Sequence, residues 1–249
     1  MKILAIIQAR MGSTRLPGKV MKLLCGQTVL GHVVSRVKEC EILDGVIVAT
    51  TTLQEDDVLE VEGRKFGAFT YRGSSDNVLS RYYHAACEYN ADVVVRITSD
   101  CPLFDADLLT EMLTVFLKKN SPCRTVDYLS NTLDRTYPRG LDAEIFYMDV
   151  LKKAYHQATK DYEKEHVTPY IYQHSDEFVI LQHKDNSNNF SDYRWTLDTV
   201  EDLKLIKLIY NSLWNVDNIF KRDDIYNILN DNISWLEINK NVVQKVLGQ

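Results

Sequence analysis

Apolar runs of strand length alternate with stretches of helical periodicity along this chain. Residues 3–7, Ile-Leu-Ala-Ile-Ile, form an unbroken apolar run that reads as a parallel strand buried on both faces. Residues 45–49 and 92–97 repeat that character. Between the first two runs, Val29, Val33 and Val37 recur at helical spacing, predicting a helix over 29–40 capped by Thr28. A polar helix is expected over 56–66 and a short strand over 68–71. A further helix is expected to start at Ser75 or Asp76 and end near Tyr89. Asp105 caps the next predicted helix, which runs to Asn120 and lines up Leu108, Leu109, Met112, Leu113 and Phe116. This alternation predicts an α/β fold with a mostly parallel sheet flanked by helices.

The second half is less regular. A strand is expected over 125–130, and residues 136–146 read as a loop running into another strand. There the alternation of Leu141, Ala143 and Ile145 puts Asp142 and Glu144 together on the other face. Such a carboxylate pair suits holding hydroxyls or activating a nucleophile, or it is the wet face of an edge strand. A helix follows a cap at Asp149, and Pro169 bends or begins another. Residues 178–183 read as a strand and 185–189 as a polar loop. A short strand ends at Asp198, and Thr199 caps a long helix with Asp202 in the capping-box place and Leu203, Ile206 and Tyr210 inward. Helices near 223–229 and 239–247 complete the pattern.

Charge changes the picture most at the exit of the first strand. The 249-residue chain carries −6, yet residues 1–38 hold seven Lys or Arg and no Asp or Glu, leaving −13 on the rest. Arg10, Arg15, Lys19 and Lys22 lie in a loop punctuated by Gly12, Pro17 and Gly18. Open α/β sheets bind ligands beyond the carboxyl ends of their strands. Glycines let backbone N–H groups approach an anion that Arg and Lys neutralise, so the loop reads as a phosphate cradle. Neither G-x-x-x-x-G-K-[ST] nor G-x-G-x-x-G is present. Asp100 ends a central strand and faces the same crevice. A carboxylate beside phosphate oxygens needs an intervening cation, and a hard ion such as Mg²⁺ suits it, making Asp100 a candidate metal ligand.

The remaining features narrow the setting. Cys25, Cys40, Cys87, Cys101 and Cys123 are odd in number and without a C-x-x-C pair, as expected of reduced thiols in a cytoplasmic protein. No apolar run spans a bilayer and no signal-peptide pattern follows Met1. An acidic chain argues against general nucleic-acid binding. One large domain over 1–249 fits the length, with no linker or repeat to divide it.

The segment from Ile6 to Lys19, Ile-Ile-Gln-Ala-Arg-Met-Gly-Ser-Thr-Arg-Leu-Pro-Gly-Lys, closely resembles the opening loop of the cytidylyltransferase family, above all its spore-coat-polysaccharide branch. The resemblance spans roughly 3–210 and returns in Arg72-Gly73-Ser74-Ser75-Asp76 with Arg81, in Arg96-x-Thr98-x-Asp100-Cys101-Pro102, in Arg139-Gly-Leu-Asp142-x-Glu144, in Glu165-His166-Val-Thr-Pro-Tyr and in Arg194-x-Thr196-x-Asp198. It implies a nucleotide-diphosphosugar-transferase-like fold and transfer of CMP from CTP to a sugar-like acceptor, with release of pyrophosphate. It also implies nucleotide contacts from Ala9, Arg10, Gly12, Ser13, Arg15, Lys19, Thr50, Arg72, Gly73, Ser74, Asp76, Arg81 and Thr98. Arg10, Lys19 and Asp100 are the implied catalytic groups. Arg139, Asp142, Glu144 and His166 would border the acceptor, within a subregion near 124–190 that is also a candidate for homodimer contacts. Asp198 would join Asp100 as a ligand to Mg²⁺. A glycosyltransferase and a non-catalytic nucleotide-binding module are the rival readings. The single Asp of Asp100-Cys101-Pro102 counts against the first, and the full set of candidate ligands against the second.

Overall fold

The computed structural model describes residues 1–244. A seven-stranded sheet lies between two helical layers. Its strands are β1 (Ile3–Gln8), β4 (Gly45–Thr51), β5 (Phe69–Gly73), β6 (Val93–Thr98), β7 (Tyr128–Ser130), β8 (Glu144–Tyr147) and β9 (Ile180–Gln182). They stand in the order β5-β4-β1-β6-β8-β7-β9. From β5 to β6 all neighbours are parallel, whereas β8 is antiparallel to both β6 and β7. A small hairpin, β2 (Leu23–Leu24) with β3 (Gln27–Thr28), turns through Cys25 and Gly26, both at positive φ. Its two-residue strands are too short to show in the sequence pattern.

β1 is buried on both faces, and its side chains divide the core. Ile3, Ala5 and Ile7 pack with α1 (Val29–Lys38), α4 (Ala106–Lys119), α8 (Val200–Leu213) and α9 (Arg222–Asp231). Leu4 and Ile6 pack with α3 (Val78–Glu88), α5 (Met148–Gln157) and α7 (Pro169–Gln173). The remaining helices, α2 (Asp57–Lys65) and α6 (Asp161–His166), complete the layers.

The caps at Thr28, Asp105 and Thr199 are as expected, each accepting an N–H from three residues on. Asn77, not Ser75 or Asp76, caps α3, accepting from Ser80 N at 2.8 Å. Asp149 does not cap α5; it pairs with Arg124. β7 starts three residues late because Asn120 Oδ1 takes the N–H groups of Thr125 and Val126 into the turn. The stretch before Asp198 makes only a bridge between Arg139 and Arg194 and is not a strand. Residues 238–241 are turn and 242–244 irregular, so the helix expected over 239–247 does not form there; its last three positions lie outside the described residues.

Candidate nucleotide site

β1 delivers the chain to the crevice with Ala9 buried and Arg10 exposed. Asp56, fully buried, then accepts the Met11 N–H at 2.6 Å and the Thr51 hydroxyl, tying the loop to the end of β4. Ser13 and Gly18 both donate their N–H to Met11 O, folding residues 11–18 into a compact bend with Gly12 exposed at its tip and Gly18 at φ 62°. Leu16 and Val20 enter the core and anchor the bend. Lys19, opening a single 3₁₀ turn, is thereby aimed across the crevice.

Its ammonium lies 2.7 Å from Asp100 Oδ2 and 2.8 Å from Asp198 Oδ1. The two aspartates, 98 positions apart in the sequence, are brought together by backbone pairing: Leu197 N and Thr196 Oγ1 both donate to Asp100 O. Asp198 also meets Arg15 at 3.0 Å and Arg194 at 2.9 Å. Arg194 is itself clamped by the fully buried Asp202, which also accepts the N–H groups of Asp198 and Thr199 and the side-chain amide of Asn239. Burial pulls the proton affinity of Lys19 down, but the two carboxylates outweigh it and leave the pKa raised. Burial pushes Asp100 the other way, and Lys19 wins, holding it below the usual carboxylate range.

The opposite wall is made from β4, β5 and the start of α3. Thr50 Oγ1 on β4 and Gln8 Oε1 at the end of β1 are buried without a partner among the described residues. The Ser74 hydroxyl accepts the N–H groups of Asp76 and Asn77, and Asp76 accepts from Ser75. Arg81 is buried and donates to the carbonyls of Ser74 and Ser75, shaping this loop from behind. Arg72 is committed to the carbonyls of Thr51 and Leu53 and to Asp57. Gly73 leaves no room for a Cβ, which would lie 2.9 Å from the Tyr71 ring.

On the β8 side, Asp142 is held by Arg135 through two contacts of 2.5 and 3.0 Å. Arg139 has no side-chain partner among the described residues, and burial, then Arg135 beside it, lowers its pKa. The Arg139 backbone brackets Tyr193 and Trp195. Gly140, at φ 112°, passes so close that a Cβ would sit 2.6 Å from the Trp195 carbonyl carbon. Glu144 faces neither solvent nor an open pocket: β8 is internal, and its carboxylate takes Arg96, the Tyr128 hydroxyl and the Thr168 hydroxyl. The edge-strand alternative for this carboxylate pair is therefore ruled out. His166 is half-buried near that cluster, and burial lowers its pKa. The Thr98 hydroxyl meets the Cys101 thiol at 3.3 Å, beside Asp100.

Thus Arg15, Lys19, Asp100 and Asp198 converge, with Thr50, Ser74 and Thr98 at neighbouring strand or loop ends. Arg72, Arg81 and Glu144 are occupied by the protein's own groups. Sequence reasoning missed Asp56, Arg135 and Arg194 as site-building residues and saw Asp202 only as a cap. Arg194 had a signal: Arg194-x-Thr196-x-Asp198 repeats Arg96-x-Thr98-x-Asp100, and each arginine meets a buried carboxylate.

A family model described as cytidylyltransferase matches residues 4–219. The chain belongs to the cytidylyltransferase family. An uncharacterised protein of Methanocaldococcus jannaschii is 37% identical over 98% of this chain and 97% of its own. The spore coat polysaccharide biosynthesis protein SpsF of Bacillus subtilis is 35% identical over 84% of this chain and 86% of its own length. A solved cytidylyltransferase structure from Leptospira borgpetersenii superposes with a TM-score of 0.89 at 34% identity, covering 99% of this chain and 100% of that one. Membership makes this cytidylyltransferase a nucleotidyltransferase with the fold its sequence predicted.

Proposed function

We propose that the enzyme transfers CMP from CTP to a sugar or phosphorylated acceptor for surface-polysaccharide synthesis. An acceptor oxygen bonds to the α-phosphorus, the bond from that phosphorus to the bridging oxygen breaks, and pyrophosphate leaves. The observation that supports this reading above all is the meeting of Lys19, Asp100 and Asp198 at the strand ends. Such chemistry asks the protein to align two reactants and to stabilise charge on phosphoryl oxygens. Arg10 and Arg15 on the basic loop, with Lys19, would neutralise the β- and γ-phosphates, and Ser13 with the backbone near Gly12 would complete the cradle. The unpartnered Thr50 hydroxyl and Gln8 carbonyl oxygen offer a pyrimidine edge a donor and an acceptor. Arg139, which has no side-chain partner among the described residues, would meet the acceptor beside Asp142.

Mg²⁺ fits this donor set. Two carboxylates share one cation position, and a hard ion held by one or two carboxylates completes its shell with phosphate oxygens and water. Bound through Asp100 and Asp198, it would polarise the α-phosphate.

The test is a screen for pyrophosphate release with four nucleoside triphosphates against acidic sugars and phosphorylated acceptors. CTP should be selected. Lys19→Ala or Asp100→Ala should lower kcat on the order of 100-fold. Unchanged pyrophosphate release in both variants rules the assignment out.

A further inference from the structure

Lys19 occupies the place that a divalent cation would need. Its ammonium touches one oxygen of each aspartate at 2.7 and 2.8 Å, and a Mg²⁺ ion would need those oxygens at about 2.0–2.1 Å. The two cations cannot share the gap. The wider cluster is also electrically complete. Arg15, Lys19 and Arg194 balance Asp100, Asp198 and Asp202 one for one. A dication arriving alone meets a neutral cluster with its central position filled. A triphosphate arriving first brings several negative charges and competes for the ammonium. The Lys19 stem is flexible, so the ammonium can swing without moving the turn that carries it. The consequences for the aspartates differ. Asp198 keeps Arg15 and Arg194, whereas Asp100 has no other cation partner among the described residues.

We propose that Lys19 is a displaceable counter-ion: it neutralises Asp100 and Asp198 while the nucleotide site is empty, and the triphosphate draws it away, so that the carboxylate pair accepts a divalent cation only with or after the nucleotide. This rests on the nucleotidyltransferase reading above and adds an order of binding to it. The lock keeps the carboxylate pair neutralised until the nucleotide supplies the phosphate oxygens that complete the ion's shell.

Mn²⁺ binding to the full chain without nucleotide tests this, read by the electron paramagnetic resonance signal of the free ion and by melting temperature. Wild type should bind Mn²⁺ weakly and show no melting shift. Lys19→Met, which keeps the stem and loses the charge, should bind Mn²⁺ at least tenfold more tightly and gain several degrees on its addition. Lys19→Gln should do the same, and Lys19→Arg should stay weak. Adding Asp100→Asn to Lys19→Met should abolish the gain. Equal Mn²⁺ affinity in wild type and the two uncharged variants overturns the proposal, as does a gain that survives Asp100→Asn. Wild type needs no variant to fold: tight nucleotide-free Mn²⁺ binding by it is also fatal. If CTP turns over but the Mn²⁺ gain is missing, the counter-ion fails and the proposed function stands. If the gain appears but no triphosphate releases pyrophosphate, the proposed function fails alone.

Discussion

Asp56 accepts the backbone N–H of Met11 at 2.6 Å across 45 positions of sequence. This bond joins the start of the basic loop to the turn between β4 and α2, and the same carboxylate accepts the Thr51 hydroxyl. Asp56→Ala strands both donors. An unpaired buried donor costs about 1–3 kcal/mol, so the urea midpoint should fall by the equivalent of about 2 kcal/mol or more. CTP affinity, measured by calorimetry, should weaken because the loop is no longer fixed at its root. Asp56→Asn, which keeps one acceptor oxygen, should lose less on both counts.

Gly140 carries a different burden. Its φ of 112° belongs to glycine, and a Cβ would collide with the Trp195 backbone at 2.6 Å. Backbone on both sides leaves nothing flexible to yield. Gly140→Ala should therefore displace the segment that leads to Asp198 and lower both melting temperature and kcat. A melting temperature within 1–2 °C of wild type, roughly the effect of a neutral surface change, would contradict this account.

Glu144 and Arg96 pair across adjacent strands, 96 opposite 144 in the β6–β8 register. Removing one member leaves a buried charge uncompensated, at about 3–5 kcal/mol. Glu144→Gln should therefore show as lost stability in thermal denaturation, whether or not acceptor is present. A normal melting curve with a raised acceptor KM would instead return Glu144 to the acceptor pocket.

His32 is buried between Tyr210 and Trp214, with Nε2 2.8 Å from the Leu24 carbonyl. Burial lowers its pKa from 6.5 to about 4. The unfolded chain thus takes up a proton below pH 6.5 that the folded chain refuses until about pH 4. Stability from this group is complete above pH 6.5 and drains away as pH falls through that window, by roughly 3 kcal/mol in all. His32→Gln should flatten the slope of unfolding free energy between these limits, measured by denaturant titration at successive pH values.

The parts of the site that were legible in the sequence carry local signals. Lys19 stands in a one-signed loop at a strand exit, and Asp100 stands two residues beyond a valine-rich strand. Asp198 is marked in the sequence only by family likeness, and no local pattern says that it meets Asp100. That meeting depends on Leu197 donating to the Asp100 carbonyl, a contact between segments 97 positions apart. Glu144 shows the limit of periodicity. Leu141, Ala143 and Ile145 do enter one core, as the alternation requires. Periodicity assigns Glu144 to the other face but does not reveal that this face is covered by Tyr128 and Thr168. Arg72 and Arg81 illustrate the same difficulty with cations, since a buried arginine that braces a loop and an exposed one that grips a ligand look alike as letters.

β8 alone runs against the other six strands, and it stands between β5, β4, β1 and β6 on one side and β7 and β9, from later in the chain, on the other. Strands β5, β4, β1 and β6 present their carboxyl ends to the crevice in unison, and the basic loop and Asp100 belong to them. Strands β8, β7 and β9 enter from the later sequence and carry Asp142 and its neighbours to the far bank. Within the sheet the later strands touch the first four only along the β6–β8 pairing, so substitutions among them can reshape the wall beside Asp142 while Lys19 and Asp100 keep their places.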